Sequence, residues 1–267
     1  VRRPTFPLPP SRADRRRLLA AAALALVGAR GEALPRMALR FPRDHGTHPE
    51  LRTEWWYLTG ALQEGERPFG FQLTFFRSRV DGTQAMQSAF AARQLIFAHA
   101  ALTDVQGQRL WHDQRLAREG FGIATASQAD TAVTLRGWSL LRSDAGYALK
   151  AAAQDFAMVL QCTPTQAVLL QGDEGLSRKG PENAQASYYY SQPQLQTRGR
   201  ITLQGKTFDV AGTAWLDHEW SDEFLHPDAA GWDWMGMNLQ GGSALTAFRL
   251  RRKGAGTGPQ AALWDGG

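Results

Sequence analysis

Short segments in which apolar residues recur at every second position, each closed by a turn, leave this chain little choice but antiparallel sheet. Trp56 to Leu62, Phe69 to Phe75, Leu95 to Leu102, Thr131 to Leu140, Ala148 to Ala152, Phe156 to Cys162 and Ala167 to Leu170 follow period two or are short apolar runs. Between them lie Gln63-Glu64-Gly65-Glu66, Asp81-Gly82-Thr83, Asp104-Val105-Gln106-Gly107 and Asp144-Ala145-Gly146, which read as turns. Past the N-terminal stretch no segment has a long, capped helical pattern. The pattern predicts an all-β protein, a barrel or sandwich, and a barrel of about eight strands is wide enough to hold one ligand.

A second series of strands follows the polar stretch Gly180 to Gln185. Arg200 to Leu203, Lys206 to Trp215, Trp232 to Asn238, Ala244 to Arg251 and Ala261 to Trp264 are fewer than a closed barrel needs, and open sheet edges invite aggregation. The expected organisation is therefore a barrel over residues 30–191 and an unfinished second barrel over 192–267, in a chain that begins with Val and belongs to a longer protein. The alternative is one large curved sheet.

Residues 1–29 read as an exported leader. Arg15-Arg16-Arg17-Leu18-Leu19 precedes an apolar run to Val27 that is shorter than the roughly 20 residues a membrane span needs, and Val27-Gly28-Ala29 offers small residues for cleavage. The arginines and following leucines suit the twin-arginine route, so the expected location is periplasmic or secreted, with membrane contact only through the leader. This leader holds six Arg and one Asp, the whole of the chain's net charge of +5. The remainder is formally neutral, which argues against a nucleic-acid partner. Cys162, the single cysteine, has no internal disulfide partner and follows Phe156, Met158 and Leu160 onto an inward face.

Tryptophan clusters mark the candidate site: Glu54-Trp55-Trp56-Tyr57, Asp217-His218-Glu219-Trp220 and Trp232-Asp233-Trp234. Each Trp buries a large apolar surface and seeks a partner for its N–H, so clusters flanked by ionisable groups suit the wall of a hydrophobic-ligand cavity. Trp55 and Trp56 are successive and must face opposite sides of a strand, one into a barrel and one toward a second domain. Protonating an alkene requires a carboxylic acid kept neutral by an apolar wall, with aromatic faces to steady the cation. Asp217, His218, Glu219 and Asp233 are the candidate catalytic groups, and Trp220, Trp232, Trp234, Trp55 and Trp56 the ligand-binding ones, all expected round one cavity if the loop from Ser221 to Gly231 joins neighbouring strands. No Gly-x-Ser-x-Gly elbow is present for ester hydrolysis. His218, Asp222 and His226 would share a face only in a helix, and this stretch reads as a strand end and loop, so neither a metal nor another cofactor is expected. His45 and His48 read as loop residues before the first strand, and His99 suits a core or a pocket equally.

Several motifs together carry a family resemblance. Phe41-Pro42-Arg43-Asp44-His45-Gly46, Thr53 to Gly60, Phe71 to Arg77, Ala98 to Asp104, Tyr188-Tyr189-Tyr190-Ser191, Gly212 to Trp220 and Trp232 to Gly236 resemble, in order, the AttH and hydroxyneurosporene synthase family, also called carotenoid 1,2-hydratase-like or secreted hydrolases. The resemblance implies two lipocalin-like barrels, the second incomplete here. It implies activities that range from water addition to an isoprenoid double bond to pericyclic cyclisation, and exported members found near ABC-transporter components. In the hydratases a His and Trp two residues apart, matched here by His218 and Trp220, act with an acid on a following strand. That strand reads Ala244 to Leu250 without Asp, Glu or Tyr, which leaves Asp217, Glu219 or Asp233 to supply a proton. The resulting expectation is an exported binder of a long apolar ligand, a carrier associated with an ABC transporter, with an acid-catalysing enzyme of the hydratase or secreted-hydrolase type as the alternative.

Overall fold

The computed structural model describes residues 33–180, 184–223 and 228–253. The leader at 1–29, His226 and the strand expected from Ala261 to Trp264 lie outside the described residues. The chain enters through a 3-10 turn, Arg43–His45, and then forms β1 (Thr53–Glu64), β2 (Arg67–Arg79), β3 (Gln94–Asp104), β4 (Arg109–Arg118), β5 (Ala124–Ala126), β6 (Ala132–Leu135), β7 (Trp138–Ser143), β8 (Gly146–Ala152) and β9 (Phe156–Thr163). Two short strands, β10 (Leu169–Leu170) and β11 (Leu176–Arg178), precede the long β12 (Ala186–Leu203) and β13 (Lys206–Ser221), and a hairpin of β14 (Ala229–Asn238) and β15 (Ala244–Arg252) ends the described chain.

Thirteen strands form one antiparallel sheet in the order β4-β3-β2-β1-β13-β12-β9-β8-β7-β6-β5, with β10 and β11 added on β12. The two ends of that order, β4 and β5, are consecutive in sequence, so a single turn brings the edges together and the sheet curls into a nearly closed barrel. Arg115 of β4 helps to bridge the gap: its guanidinium donates to the carbonyls of Arg136 and Ala152 and lies 4.3 Å from the Trp138 ring centre. Inward positions follow period two. On β2 these are Phe69, Phe71, Leu73 and Phe75, on β3 Ile96, Ala98, Ala100 and Leu102, and on β9 Phe156, Met158, Leu160 and the expected Cys162, all buried in one core.

β1 pairs with β13 from Thr53 to Gln63. Glu54 lies opposite Trp220, Trp56 opposite His218 and Leu58 opposite Leu216. Gly212 permits this approach, since a Cβ there would stand 2.0 Å from the Ala61 carbonyl oxygen. The division expected between residues 191 and 192 falls inside β12, and β13, which the sequence pattern assigned to a second barrel, joins the first strand to the rest. The strands from Arg200 to Trp215 thus belong to the first sheet, and the described residues do not show a second barrel. The reason is length: β12 and β13 extend well beyond the expected strands at Arg200 to Leu203 and Lys206 to Trp215, and their long-range pairing is invisible to a window of neighbouring residues.

β14 and β15 pair only with each other and lie over the outer face of β12 and β13. Pro193 lacks an N–H for the ladder, and the register of β12 slips between Gln192 and Leu195 at that point. The bulge turns Gln194 outward. Its backbone N–H donates to Asn238 Oδ1 at 2.8 Å and its side-chain amide to the carbonyls of Leu239 and Ser243, so a single irregularity ties the hairpin down. A chain ending at Ser191 deprives β1 of its β13 partner, and guanidinium titration is expected to show no cooperative unfolding for that fragment, whereas residues 33–253 unfold cooperatively.

Candidate functional site

The sheet of β1, β12 and β13 carries ionisable groups on both faces, and alternation sorts them. Glu54, Trp56, Tyr188, Tyr190, His218 and Trp220 point into the barrel; Trp55, Tyr57, Tyr189, Asp217 and Glu219 point out. The Asp217-His218-Glu219-Trp220 run is therefore split between two environments. Trp55 and Trp56 face opposite sides of β1 as expected, Trp56 into the barrel and Trp55 into the outer cavity.

Inside the barrel, Glu54 is fully buried and saturated with donors. Oε1 receives His218 Nε2 at 2.9 Å and His48 Nδ1 at 2.8 Å, while Oε2 receives Arg77 Nε at 2.8 Å, Thr47 Oγ1 at 2.5 Å and the His48 backbone N–H at 2.9 Å. Burial alone would raise this carboxyl, but the hydrogen bonds from His218 and His48 outweigh it and hold it well below the usual carboxylate range. Burial pushes His218 down to about 4 and His45 down to about 3, so both imidazoles are neutral near pH 7. Donor accounting then fixes their tautomers: His218 gives its Nε2–H to Glu54 and accepts the Tyr190 hydroxyl at Nδ1 (3.2 Å), and His45 Nδ1–H donates to the Tyr190 oxygen (2.7 Å). Trp56 stacks on His218 with centroids 4.6 Å apart, and His48 on Trp220 at 4.0 Å.

Of these interior residues, His218, Trp56 and Trp220 are site candidates from the sequence, and His45 and His48 carry no site role there. His45 and His48 are not free loop residues but buried members of the network, and Asp44 reaches His48 Nε2 at 3.2 Å. The available signal was Asp44-His45-Gly46-Thr47-His48 placed just before a strand that carries a buried-position Glu. His48 Nδ1, Glu54 Oε1 and His218 Nε2 lie within 4.8 Å of one another and are of the types that ligate a metal. Every one of those atoms is already engaged by its neighbours, and Arg77 supplies positive charge at the second Glu54 oxygen.

Outside the barrel lies a cavity of about 500 Å³. Trp55 and Phe76 from the sheet and Trp232, Trp234 and Phe248 from the hairpin form its apolar walls; Tyr57, Tyr189, Lys179, Asp217 and Glu219 supply its polar groups. Trp234 donates Nε1–H to the Tyr189 hydroxyl at 3.1 Å and meets Tyr57 edge to face at 5.7 Å. Lys179 pairs with Glu219 at 2.8 Å, and Ser187 donates to the same oxygen, so that pair is internally neutral. Asp217 is different. Its Oδ1 accepts from Ser191 Oγ and, at 2.8 Å, from Trp215 Nε1, and no cation touches it among the described contacts. Desolvation pushes its carboxyl up to about 7 against the hydrogen bonds from Ser191, Trp215 and Tyr189. The Tyr189 phenol is raised well above 10, chiefly by burial, and stays protonated.

The cavity thus gathers Trp55, Trp232, Trp234, Asp217 and Glu219 but not the other candidates. Trp56, His218 and Trp220 lie across the sheet in the core, and Asp233 is half exposed, bound to Arg249 and 3.4 Å from Arg251. One shared cavity was expected if β13 and β14 were sheet neighbours; β14 instead pairs with β15 and covers the outer face. His99 points outward and is exposed.

Residues 32–265 match the family model described as AttH-like. The chain belongs to the AttH-like family. A solved protein described as an AttH from Nitrosomonas europaea is 48% identical, with a TM-score of 0.76 over 83% of this chain and 67% of that one. Kievitone hydratase from Nectria haematococca is 10% identical, with a TM-score of 0.62 over 84% of this chain and 65% of that one, a likeness of fold. The chain thus spans about two thirds of these relatives. No curated protein sequence matches it.

Two changes test the electrostatics of this AttH-like barrel. Glu54→Gln leaves Arg77 and its neighbours without their buried counter-charge and is expected to cost about 3–5 kcal/mol in urea unfolding. Asp217 holds its proton in the folded protein to about pH 7, against roughly 3.9 when unfolded. Its contribution is thus fully present below the unfolded value and is lost as pH rises through about 7. His45 and His218 act the other way and weaken the fold as pH falls below roughly 6.5. The melting temperature of Asp217→Asn relative to the parent is expected to rise steadily between pH 4 and 7 and to level off above 8.

Proposed function

We propose that this protein binds an apolar, unsaturated ligand in the outer cavity and that Asp217 protonates a carbon–carbon double bond there, so that water adds across it. The observation that carries this reading is a buried carboxyl, with no cation beside it among the described contacts and its pKa pushed up to about 7 by desolvation, facing an aromatic cavity whose one cation, among the described residues that line it, is paired with Glu219. An acid whose pKa lies near 7 is matched to proton transfer at neutral pH.

The geometry supports the following sequence. The Asp217 proton goes to one alkene carbon, whose π electrons form the new C–H bond and leave a cation on the other carbon. The faces of Trp232, Trp234 and Tyr57 lie beside that position and stabilise positive charge. A water molecule adds to the cation and loses a proton to a carboxylate. Glu219, two residues along on the same outward face and paired with Lys179, is that acceptor. Exchange with solvent returns one proton to Asp217 and removes one from Glu219, so the net change is alkene plus water to alcohol.

Export and handover of the ligand to ABC-transporter components remain part of this proposal, on the leader at 1–29 and the resemblance. A carrier without turnover is the second reading. It is favoured by the cover: side chains such as Gln194 and Gln171 fasten the hairpin, without sheet pairing to β13, a closure suited to ligand exchange. Asp217→Asn separates them. The hydratase reading expects loss of at least about a hundredfold in turnover of a prenyl substrate with ligand affinity kept, and a parent rate that falls as pH rises through about 7. Incorporation of ¹⁸O from labelled water into the product measures this; binding with no incorporation by the parent protein leaves the carrier.

A further inference from the structure

We propose that the cavity continues as an open track across the outer faces of β2, β3 and β4 that seats the tail of a linear apolar chain. This inference rests on the apolar-ligand reading of the cavity and specifies the ligand's shape.

The register builds the track. Glu219 pairs with Trp55, Trp55 with Phe76, Phe76 with Phe97 and Phe97 with Leu116, so these outward side chains stand in one row across five adjacent strands. Phe76 is already part of the cavity wall. Phe97 stacks on it with centroids 5.2 Å apart and planes 21° from parallel, and carries the apolar surface out of the cavity without a break. Leu116 ends the row at 57% exposure. At about 4.8 Å between strands, the distance from Trp55 to Leu116 is roughly 14 Å, well beyond the cavity's own wall.

The width of the row selects the occupant. On one side stand Thr74, His99 and Gln114, and on the other Ser78, Leu95 and Arg118, so the apolar strip is about one side chain wide with polar groups along much of its borders. A stable protein partner needs on the order of 800 Å² on each side, far more than such a strip provides. Among the described residues, no ionisable side chain belongs to the row between Trp55 and Leu116. A flexible hydrocarbon chain matches both the shape and the lack of charge, with its head in the cavity beside Asp217 and its tail over Phe97 and Leu116.

Titration of the tryptophan fluorescence with geraniol, farnesol and geranylgeraniol, prenyl alcohols of two, three and four isoprene units, tests the track. The four-unit alcohol is expected to bind at least about tenfold more tightly than the two-unit one. Leu116→Asp, or Leu116→Thr as the milder change for a strand, should remove most of that gain and leave the two-unit alcohol unaffected. Leu141→Asp, at an exposed site on β7, should change neither. Equal affinity for all three, or a gain that survives both Leu116 changes, overturns the track alone. Failure of every alcohol to bind overturns the apolar-ligand reading beneath it.

Discussion

The carboxylate of Glu54 is the group on which the arrangement depends. A buried charge of this kind is tolerated only when donors surround it. Here they come from three directions: Arg77 of β2, His218 of β13, and Thr47 and His48 of the segment that enters the barrel. Holding His218 against Glu54 fixes the pairing of β1 with β13, and because side chains alternate, fixing the inner face also fixes the outer one. Trp55, Tyr57, Asp217 and Glu219 are set in place by contacts made on the opposite side of the sheet. The interior network is thus a support for the cavity and does not itself face it.

Two buried carboxylates on adjoining strands differ because their donors differ. Glu54 is met by imidazoles and a guanidinium and remains ionised; Asp217 is met by a hydroxyl, an indole and a phenol, neutral groups that do not offset the cost of burial. The same chemistry that makes Glu54 structural makes Asp217 available as an acid. Glu219, close to Asp217, is paired with Lys179, so the cavity combines a carboxyl whose pKa is raised by burial with an ion-paired one.

Much of the fold was legible locally. Period-two runs at Phe69 to Phe75 and Phe156 to Cys162 gave strands with the correct faces, and the adjacency of Trp55 and Trp56 gave their opposite destinies. What the sequence could not give was partnership across distance. Nothing local shows that β13 returns to β1, so strands after Gly180 read as a new domain. For the same reason Asp217 and His218 read as one site although a pleat separates them, and His48 read as loop although it meets Glu54 and Trp220. The aromatic and acidic character of the cavity was visible in Trp232, Trp234 and Asp217; Tyr189 stood in a motif that gave it no role, and Lys179 lies in a segment with no pattern that singled it out.

The central claim is that Asp217 keeps its proton up to about pH 7 in a cavity made apolar by the barrel wall and its hairpin. Direct titration of its side-chain carboxyl, by ¹³C NMR of aspartate-labelled protein with Asp217→Asn to assign the signal, measures that most simply. The account predicts a midpoint near pH 7. A midpoint in the ordinary range for aspartate, about 3.9, would contradict it.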